Sequence, residues 1–235
     1  MRHFAIDIDG CITAGKGNLT NTHHFSNLER YIFEHNLSVF LCTGRSAPYV
    51  EAIAGLLHIN QWCICENGAY LYHPMRDELF YNPLITDETL QAITKCKALL
   101  NSPKYKSICK VELGKEICIS LNPFNGSVEE LFSILVQEIN TNLLYINHST
   151  TAVDITPRGI DKGSALKLLC EKEGYNLQDI VAIGDTSGDF PFMRLAGIKA
   201  CPANASMTVK EICDYVSDFE STEGVLNILE QHHIL

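Results

Sequence analysis

Short, nearly unbroken apolar runs restrict this chain more than any other feature: HFAIDID (3–9), LSVFLCT (37–43), QWCICE (61–66), DIVAIGD (179–185) and IKACPA (198–203). A strand that is apolar on both faces needs cover on both, which is the condition of a strand inside a parallel sheet. Between these runs the apolar residues change to helical spacing. Phe25, Leu28 and Ile32 set the phase of a helix over 21–36, and APYVEAIAGLL (47–57) and DKGSALKLLCEKEGY (161–175) behave alike. Strand and helix in alternation predict an α/β fold with a Rossmann-like, doubly wound parallel sheet.

The middle of the chain breaks the alternation. A hairpin is expected through AYLYH (69–73) and ELFYN (78–82), followed by a helix over 86–100 and strands in YKSICKVE (105–112) and KEICISLN (115–122), parted at Gly114. A second helix over 127–139 leads to strands in LLYINHS (143–149) and TAVDIT (151–156). This is αββ twice, which suits an antiparallel sheet with helices on one side. The expected division is therefore a core of residues 1–82 and 157–235, interrupted by an α+β insertion of 83–156, with Pro157-Arg158-Gly159 as the return hinge. At 235 residues, a core plus a small insertion is also what chain length predicts.

Composition narrows the partners. Against 28 Asp and Glu stand 18 Lys and Arg, a formal net charge of −10 with no basic stripe, so a nucleic-acid partner is not expected. No apolar stretch approaches the ~20 residues of a membrane-spanning helix and no leader pattern is present, so the expected location is the cytoplasm. The ten cysteines are scattered through apolar runs and read as reduced, buried thiols. Oligomeric state is not legible.

In an open α/β sheet, ligands bind beyond the carboxyl ends of the strands. Collecting the residues there gives Asp7 and Asp9 after the first run, Thr43, Gly44 and Arg45 after the second, and Asp185 and Asp189 after the fourth, with Lys162 opening the helix after the insertion. Four carboxylates on one rim repel one another unless a cation is present. An all-oxygen set without His or Cys suits Mg²⁺, which accepts carboxylates, waters and phosphate oxygens. Thr43 and Lys162 then supply a hydroxyl donor and a positive charge for a phosphoryl group. Phosphoryl transfer needs an attacking oxygen and a proton carrier, and Asp7 and Asp9 fill those roles once Gly10, just after them, turns the chain so that the second carboxylate swings over the first. Each residue alone also has a plain structural reading: DxD as a solvated turn, Thr43 as a turn hydroxyl, Asp161-Lys162 as a helix start, 185–189 as a capped loop.

The ordered set DIDGCIT (7–13), CTGR (42–45), DKG (161–163) and GDTSGD (184–189) resembles the four motifs of the haloacid dehalogenase superfamily of phosphohydrolases. The insertion resembles the type IIB cap of its Cof-like branch. More narrowly, ENGA (66–69), KACPANA (199–205) and YVSD (215–218) look like the archaeal-type phosphoglycolate phosphatases. The resemblance implies a Mg²⁺-dependent phosphomonoester hydrolase in which Asp7 is the nucleophile of an aspartyl-phosphate. It implies Asp9 as general acid/base, also offering its carbonyl to the metal. Thr43, with Gly44 and Arg45, and Lys162 would hold the phosphoryl group, Lys162 also restraining Asp7. Asp185 would complete the metal site, Asp189 would ligate directly or through water, and Asn204 would support the rim. Gly188 departs from the family's usual Asn. The expected substrate is a small phosphorylated metabolite, phosphoglycolate first and a sugar phosphate second. Phosphomutase, phosphoacceptor module and silent binding protein are the alternatives; a dehalogenase is disfavoured, since a leaving halide has no need of Asp9.

Overall fold

A computed structural model describes residues 2–15, 17–139, 142–148 and 152–233. The chain opens with β1 (His3–Ile6), α1 (Thr22–Glu34), β2 (Ser38–Leu41) and α2 (Ala47–Leu56), followed by β3 (Cys63–Cys65) and the hairpin β4 (Tyr70–His73) and β5 (Glu78–Tyr81). The insertion carries α3 (Asp87–Leu100), α4 (Pro103–Ile108), β6 (Cys109–Val111), β7 (Ile119–Pro123), α5 (Val128–Glu138), β8 (Leu144–His148) and β9 (Val153–Pro157). The return brings α6 (Lys162–Glu173), β10 (Ile180–Ile183), α7 (Phe190–Met193), β11 (Ile198–Cys201), α8 (Met207–Lys210), β12 (Tyr215–Val216) and α9 (Ser221–His232).

The main sheet has the order β12-β11-β10-β1-β2, and every pairing in it is parallel. The strand order runs outward from β1 to β2 on one side and from β10 to β12 on the other, so the carboxyl ends of β1 and β10 form a switch point, where an α/β sheet opens a crevice. The strand residues of β1 and β10 are buried nearly throughout, from Phe4 and Ile6 to Ile180 and Ile183, as their uninterrupted apolar sequence predicts. The run at 61–66 behaves differently from the other four. It pairs antiparallel with β4, and joins β2 through a single parallel bridge, Cys42 to Ile64, with the Thr43 N–H donating to the Ile64 carbonyl at 2.9 Å.

The insertion folds as a separate antiparallel sheet of order β6-β7-β9-β8. One expected strand is partly a helix: residues 103–108 of SPKYKSI form α4, so β6 is reduced to Cys109–Val111. The cause is local, because Pro103 occupies the first helical position after Ser102, where its missing N–H costs nothing, and Tyr105 then turns fully into the core. The αββαββ expectation is corrected to ααββαββ. The second expected strand starts late, at Ile119, because residues 112–118 form a loop with a separate task. Residues 149–151, part of the last two expected runs, lie outside the described residues. All ten cysteines are free and nine are buried, as their apolar surroundings suggest. Among the described residues no helix is long and apolar enough to cross a membrane.

Candidate active site

Asp7 follows β1 and keeps its strand's ladder for one more residue, its N–H donating to Ile183 at 2.9 Å. The chain then turns: Gly10 adopts φ +89°, and the Gly10 N–H donates to the Thr13 carbonyl at 2.8 Å. A Cβ at Gly10 would overlap the Asp185 carboxylate, so glycine is needed for the close approach as well as for the left-handed φ. Asn204 supports this turn from the far side, donating from Nδ2 to the Gly10 carbonyl at 2.9 Å while its Oδ1 accepts from the Ser221 N–H at 2.7 Å.

Lys162 enters as the first residue of α6, capped by Asp161, whose carboxylate accepts the Ser164 N–H at 2.7 Å. Its ammonium, on a residue only 6 % exposed, lies between two carboxylates, 2.8 Å from Asp7 Oδ1 and 2.6 Å from Asp189 Oδ1. Burial works against the charge on Lys162, yet Asp189 and Asp7 hold its pKa well above the ordinary lysine value. Burial pushes the Asp7 carboxyl well above the carboxylate range; Lys162 opposes this, and the Asp189 and Asp185 charges add to it.

Asp185 and Asp189 come from the same loop and face different ways. Asp189 is 0 % exposed, and its Oδ2 accepts the N–H groups of Asp185 at 3.1 Å and Thr186 at 3.0 Å. With Oδ1 on Lys162, both its oxygens are committed, which places it behind the lysine as a support. The sequence expectation has Asp189 ligate a metal directly or through water; the contacts found are with Lys162 and two backbone N–H groups. Asp185 instead joins Asp7 and Cys11, with one ligating atom from each inside 4.8 Å. Its buried Oδ1 has no hydrogen-bond partner among the described residues. Burial first, then the Asp189 charge, lifts its carboxyl from the ordinary 3.8 to about 7. An orphaned, buried carboxylate oxygen beside a second carboxylate is the environment that a hard divalent cation satisfies, so the donor set fits Mg²⁺. The adjacent Cys11 thiol is driven up by burial and by the same carboxylates, which leaves the oxygens as the charged donors.

Thr43 is buried at the end of β2, where its Oγ1 accepts the Arg45 N–H at 3.1 Å. Gly44 leaves space that the Asn67 amide fills. Arg45, expected on the phosphoryl group, is found on Asp9: Nε donates to Oδ2 at 2.7 Å and Nη2 to Oδ1 at 2.6 Å, a two-pronged fork. Its Nη1 also reaches Glu112 Oε1 of the insertion at 3.4 Å. Asp7, Asp9, Arg45 and Lys162 open on a cavity of about 290 Å³ whose opposite wall is Glu112, Lys115, Ser120, Asn122, Asn147 and Asp154. An adjoining cavity of about 450 Å³ shares Asn67, Asn147, Asp154 and Lys162. Gly188, at the mouth, has only Thr186 Oγ1 near the position of a Cβ, at 3.5 Å, so sterics do not require glycine there.

The wall from the insertion is absent from the sequence expectation. Polar residues on short strands carry no periodic signature that separates a cavity wall from a solvated face. Gly114 marked the loop, but nothing marked which of its neighbours turn inward.

Comparison with known proteins follows the same lines. The profile of the haloacid dehalogenase-like hydrolases matches residues 4–113 and 101–229. A phosphoglycolate phosphatase of Thermoplasma volcanium is 27 % identical over 232 residues, covering 98 % of each chain. A 5-amino-6-(5-phospho-D-ribitylamino)uracil phosphatase of Bacillus subtilis is 22 % identical over 244 residues, covering 100 % of this chain and 96 % of that one. Among solved structures, a Thermoplasma acidophilum protein superimposes with a TM-score of 0.77 at 24 % identity, covering 100 % of this chain and 99 % of the other. A HAD subclass IIB sugar phosphatase does so with a TM-score of 0.73 at 18 % identity and full coverage of both. With the match spanning nearly the whole chain and the four motifs gathered at one sheet edge, the protein belongs to the haloacid dehalogenase-like hydrolase family.

Proposed function

We propose that the protein is a Mg²⁺-dependent phosphomonoester hydrolase working through an aspartyl-phosphate on Asp7, with residues 83–156 serving as its cap. The observation that carries the reading is the buried row Asp7–Lys162–Asp189 beside the unpartnered oxygen of Asp185. Lys162 fixes one Asp7 oxygen and leaves the other to attack phosphorus, while Asp189 holds the lysine in place. As the Asp7 oxygen bonds to phosphorus the ester P–O bond breaks, and the leaving oxygen takes its proton from Asp9. Water then gives a proton back to Asp9 and attacks phosphorus, and the bond to Asp7 breaks to release phosphate. Asp7 and Asp185, with the Asp9 carbonyl, would hold Mg²⁺, which supplies charge neutralisation of the phosphoryl oxygens.

The Arg45 fork occupies both Asp9 oxygens, so Asp9 gives up at least one prong to carry a proton. Arg45 is then released toward the substrate, which reconciles its place on Asp9 with a role on the phosphoryl side. Thr43, Gly44 and Lys162 form the rest of that cradle. Phosphoglycolate is the first candidate substrate, supported by the activity named for the archaeal relatives. A sugar or polyol phosphate is the second, supported by the facing wall. There Asn147 and Asp154 offer partners for hydroxyls, and the Lys115 ammonium is already engaged by Glu112 Oε2 at 3.1 Å and Ser120 Oγ at 2.5 Å.

The test is phosphate release from a panel of phosphometabolites, with and without Mg²⁺, beside Asp7→Asn. Release that needs Mg²⁺ and disappears in the variant is expected. No release from any substrate, or a fully active variant, overturns the reading, and transfer between sugar positions faster than hydrolysis would point to a mutase.

A further inference from the structure

Glu66 is the least expected charge in the molecule. It follows β3 in the core, is 0 % exposed, and is not among the residues that line the cavity. Its carboxylate accepts three backbone N–H groups, all from the cap: Glu116 on Oε1 at 2.6 Å, and Ile117 and Cys118 on Oε2, each at 2.8 Å. The Tyr70 hydroxyl donates to Oε1 at 3.2 Å, and the Cys118 thiol donates to the Glu66 carbonyl at 2.9 Å. Consecutive N–H groups converging on one anion make a nest, normally a site for a phosphate or carboxylate ligand. Here the anion comes from the other sheet of the same chain.

The backbone is bent to deliver it. Glu66 and Asn67 both adopt left-handed φ, +44° and +56°, which is uncommon for a glutamate and is kept where surrounding structure enforces it. That enforcement comes from the site: the Glu66 N–H donates to the Arg45 carbonyl at 2.9 Å and the Asn67 N–H to the Thr43 carbonyl at 3.0 Å. The same cap loop is held from its other side by Lys97, whose ammonium donates to the carbonyls of Lys115 and Glu116. Peptide groups 115–118 thus lie between a cation of the cap and an anion of the core, aligned with both. The loop so held carries Glu112 and Lys115 to the cavity, and Glu112 meets Arg45, which holds Asp9.

We infer that Glu66 is a positioning residue that latches the 112–118 loop of the cap to the core and thereby sets how the cap wall meets the substrate. This rests on the phosphatase reading for its kinetic consequence and on geometry alone for the latch. Besides the two chain crossings near 83 and 157, the cap meets the core through the partly exposed contacts of Arg45 with Glu112 and of Tyr81 with Glu116, and Glu66 adds the buried attachment, off the line between the crossings. A cap held only at its two crossings swings about the line between them; a third point off that line fixes its orientation.

The experiment pairs amide hydrogen exchange with kinetics. In the unaltered protein the amides of Ile117 and Cys118 should be protected as well as those of β7, although they sit in a loop. Exchange at the rate of an open loop overturns the latch. In Glu66→Gln, which keeps the size and loses the charge, these amides should exchange at least about tenfold faster while β1 and β10 keep their protection. KM for the preferred phosphomonoester should rise about tenfold with kcat within about threefold, since ground-state positioning is lost and the nucleophile is untouched. Inhibition by inorganic phosphate, which is held by the core's cradle and not by the cap wall, should be unchanged. Combined with Glu112→Gln, the effect on KM should be less than additive, because Glu66 acts through that loop. An unchanged KM, or kcat and phosphate inhibition lost together, assigns Glu66 to the Thr43–Arg45 backbone alone and refutes the inference. A wild-type protein that releases no phosphate refutes the phosphatase reading, while the exchange data still decide the latch.

Discussion

Raising the pH from about 5 to about 7 in the presence of a chelator should destabilise the protein, with Asp185 contributing a share whose size its own titration sets. Its carboxyl titrates near 3.8 in an ordinary setting and at about 7 in the fold, where burial and the Asp189 charge disfavour the anion. Unfolding therefore releases a proton anywhere between these values. The contribution to stability is fully present below 3.8 and is lost as pH rises through about 7. At about 1.4 kcal/mol per pH unit, the whole window is worth about 4 kcal/mol and the span from pH 5 to 7 about 2–3 kcal/mol. For a chain of this size that is a fall of roughly 5–10 °C in Tm. Saturating Mg²⁺ should remove most of the fall, because a cation bound only by the folded state favours the ionised carboxylates. The assay is a thermal melt at the two pH values, with chelator or Mg²⁺, for wild type and Asp185→Asn. Subtracting the variant cancels the titration of groups elsewhere. A wild-type Tm that does not fall in chelator, or falls equally in Asp185→Asn, refutes the reasoning.

Other substitutions probe the remaining contacts. Lys162→Met leaves Asp7 and Asp189 buried without their shared cation and should cost about 3–5 kcal/mol in chelator, read by denaturant melts, together with loss of phosphate release. Arg45→Lys keeps the charge and loses the fork on Asp9; stability should change by less than about 1 kcal/mol, since the pair is partly exposed, while kcat falls about tenfold or more. Asp161→Ala removes the cap of α6 and should cost about 1 kcal/mol, a drop of roughly 2–4 °C in Tm, with the site otherwise intact.

Where the sequence spoke clearly, one physical cause dominated. After the opening residues His3 and Ser38, burial on both faces leaves β1, β2 and β10 without polar residues as far as their carboxyl ends, so Asp7, Thr43 and Asp185 stand out as the first polar groups at that edge. The four-motif order then reads in sequence what the sheet brings together in space. Where several causes compete, the letters alone do not decide. In 105–112 the β-branched and aromatic residues suggested a strand, yet Ser102-Pro103 is a helix start, and that signal was the stronger one. Asp189 and Asp185 are indistinguishable as letters in GDTSGD, and only the direction each carboxylate faces separates a lysine support from an open oxygen. Glu66 enters the sequence reading only as the first letter of ENGA, with no role attached. Its partners are backbone N–H groups fifty residues away, which no side-chain pattern encodes.

The central claim is that Asp7 is phosphorylated during turnover, and trapping that species tests it most directly. In Asp9→Asn, which keeps the nucleophile and removes the proton carrier of both steps, the protein mixed with Mg²⁺ and an aryl phosphate, whose phenolate leaves without a proton, is quenched with borohydride, which reduces an acyl phosphate to the alcohol. Peptide mass spectrometry should find residue 7 converted to homoserine, with no conversion when substrate is omitted. An unmodified Asp7 in a protein that still releases phosphate, or conversion at another carboxylate, would contradict the account.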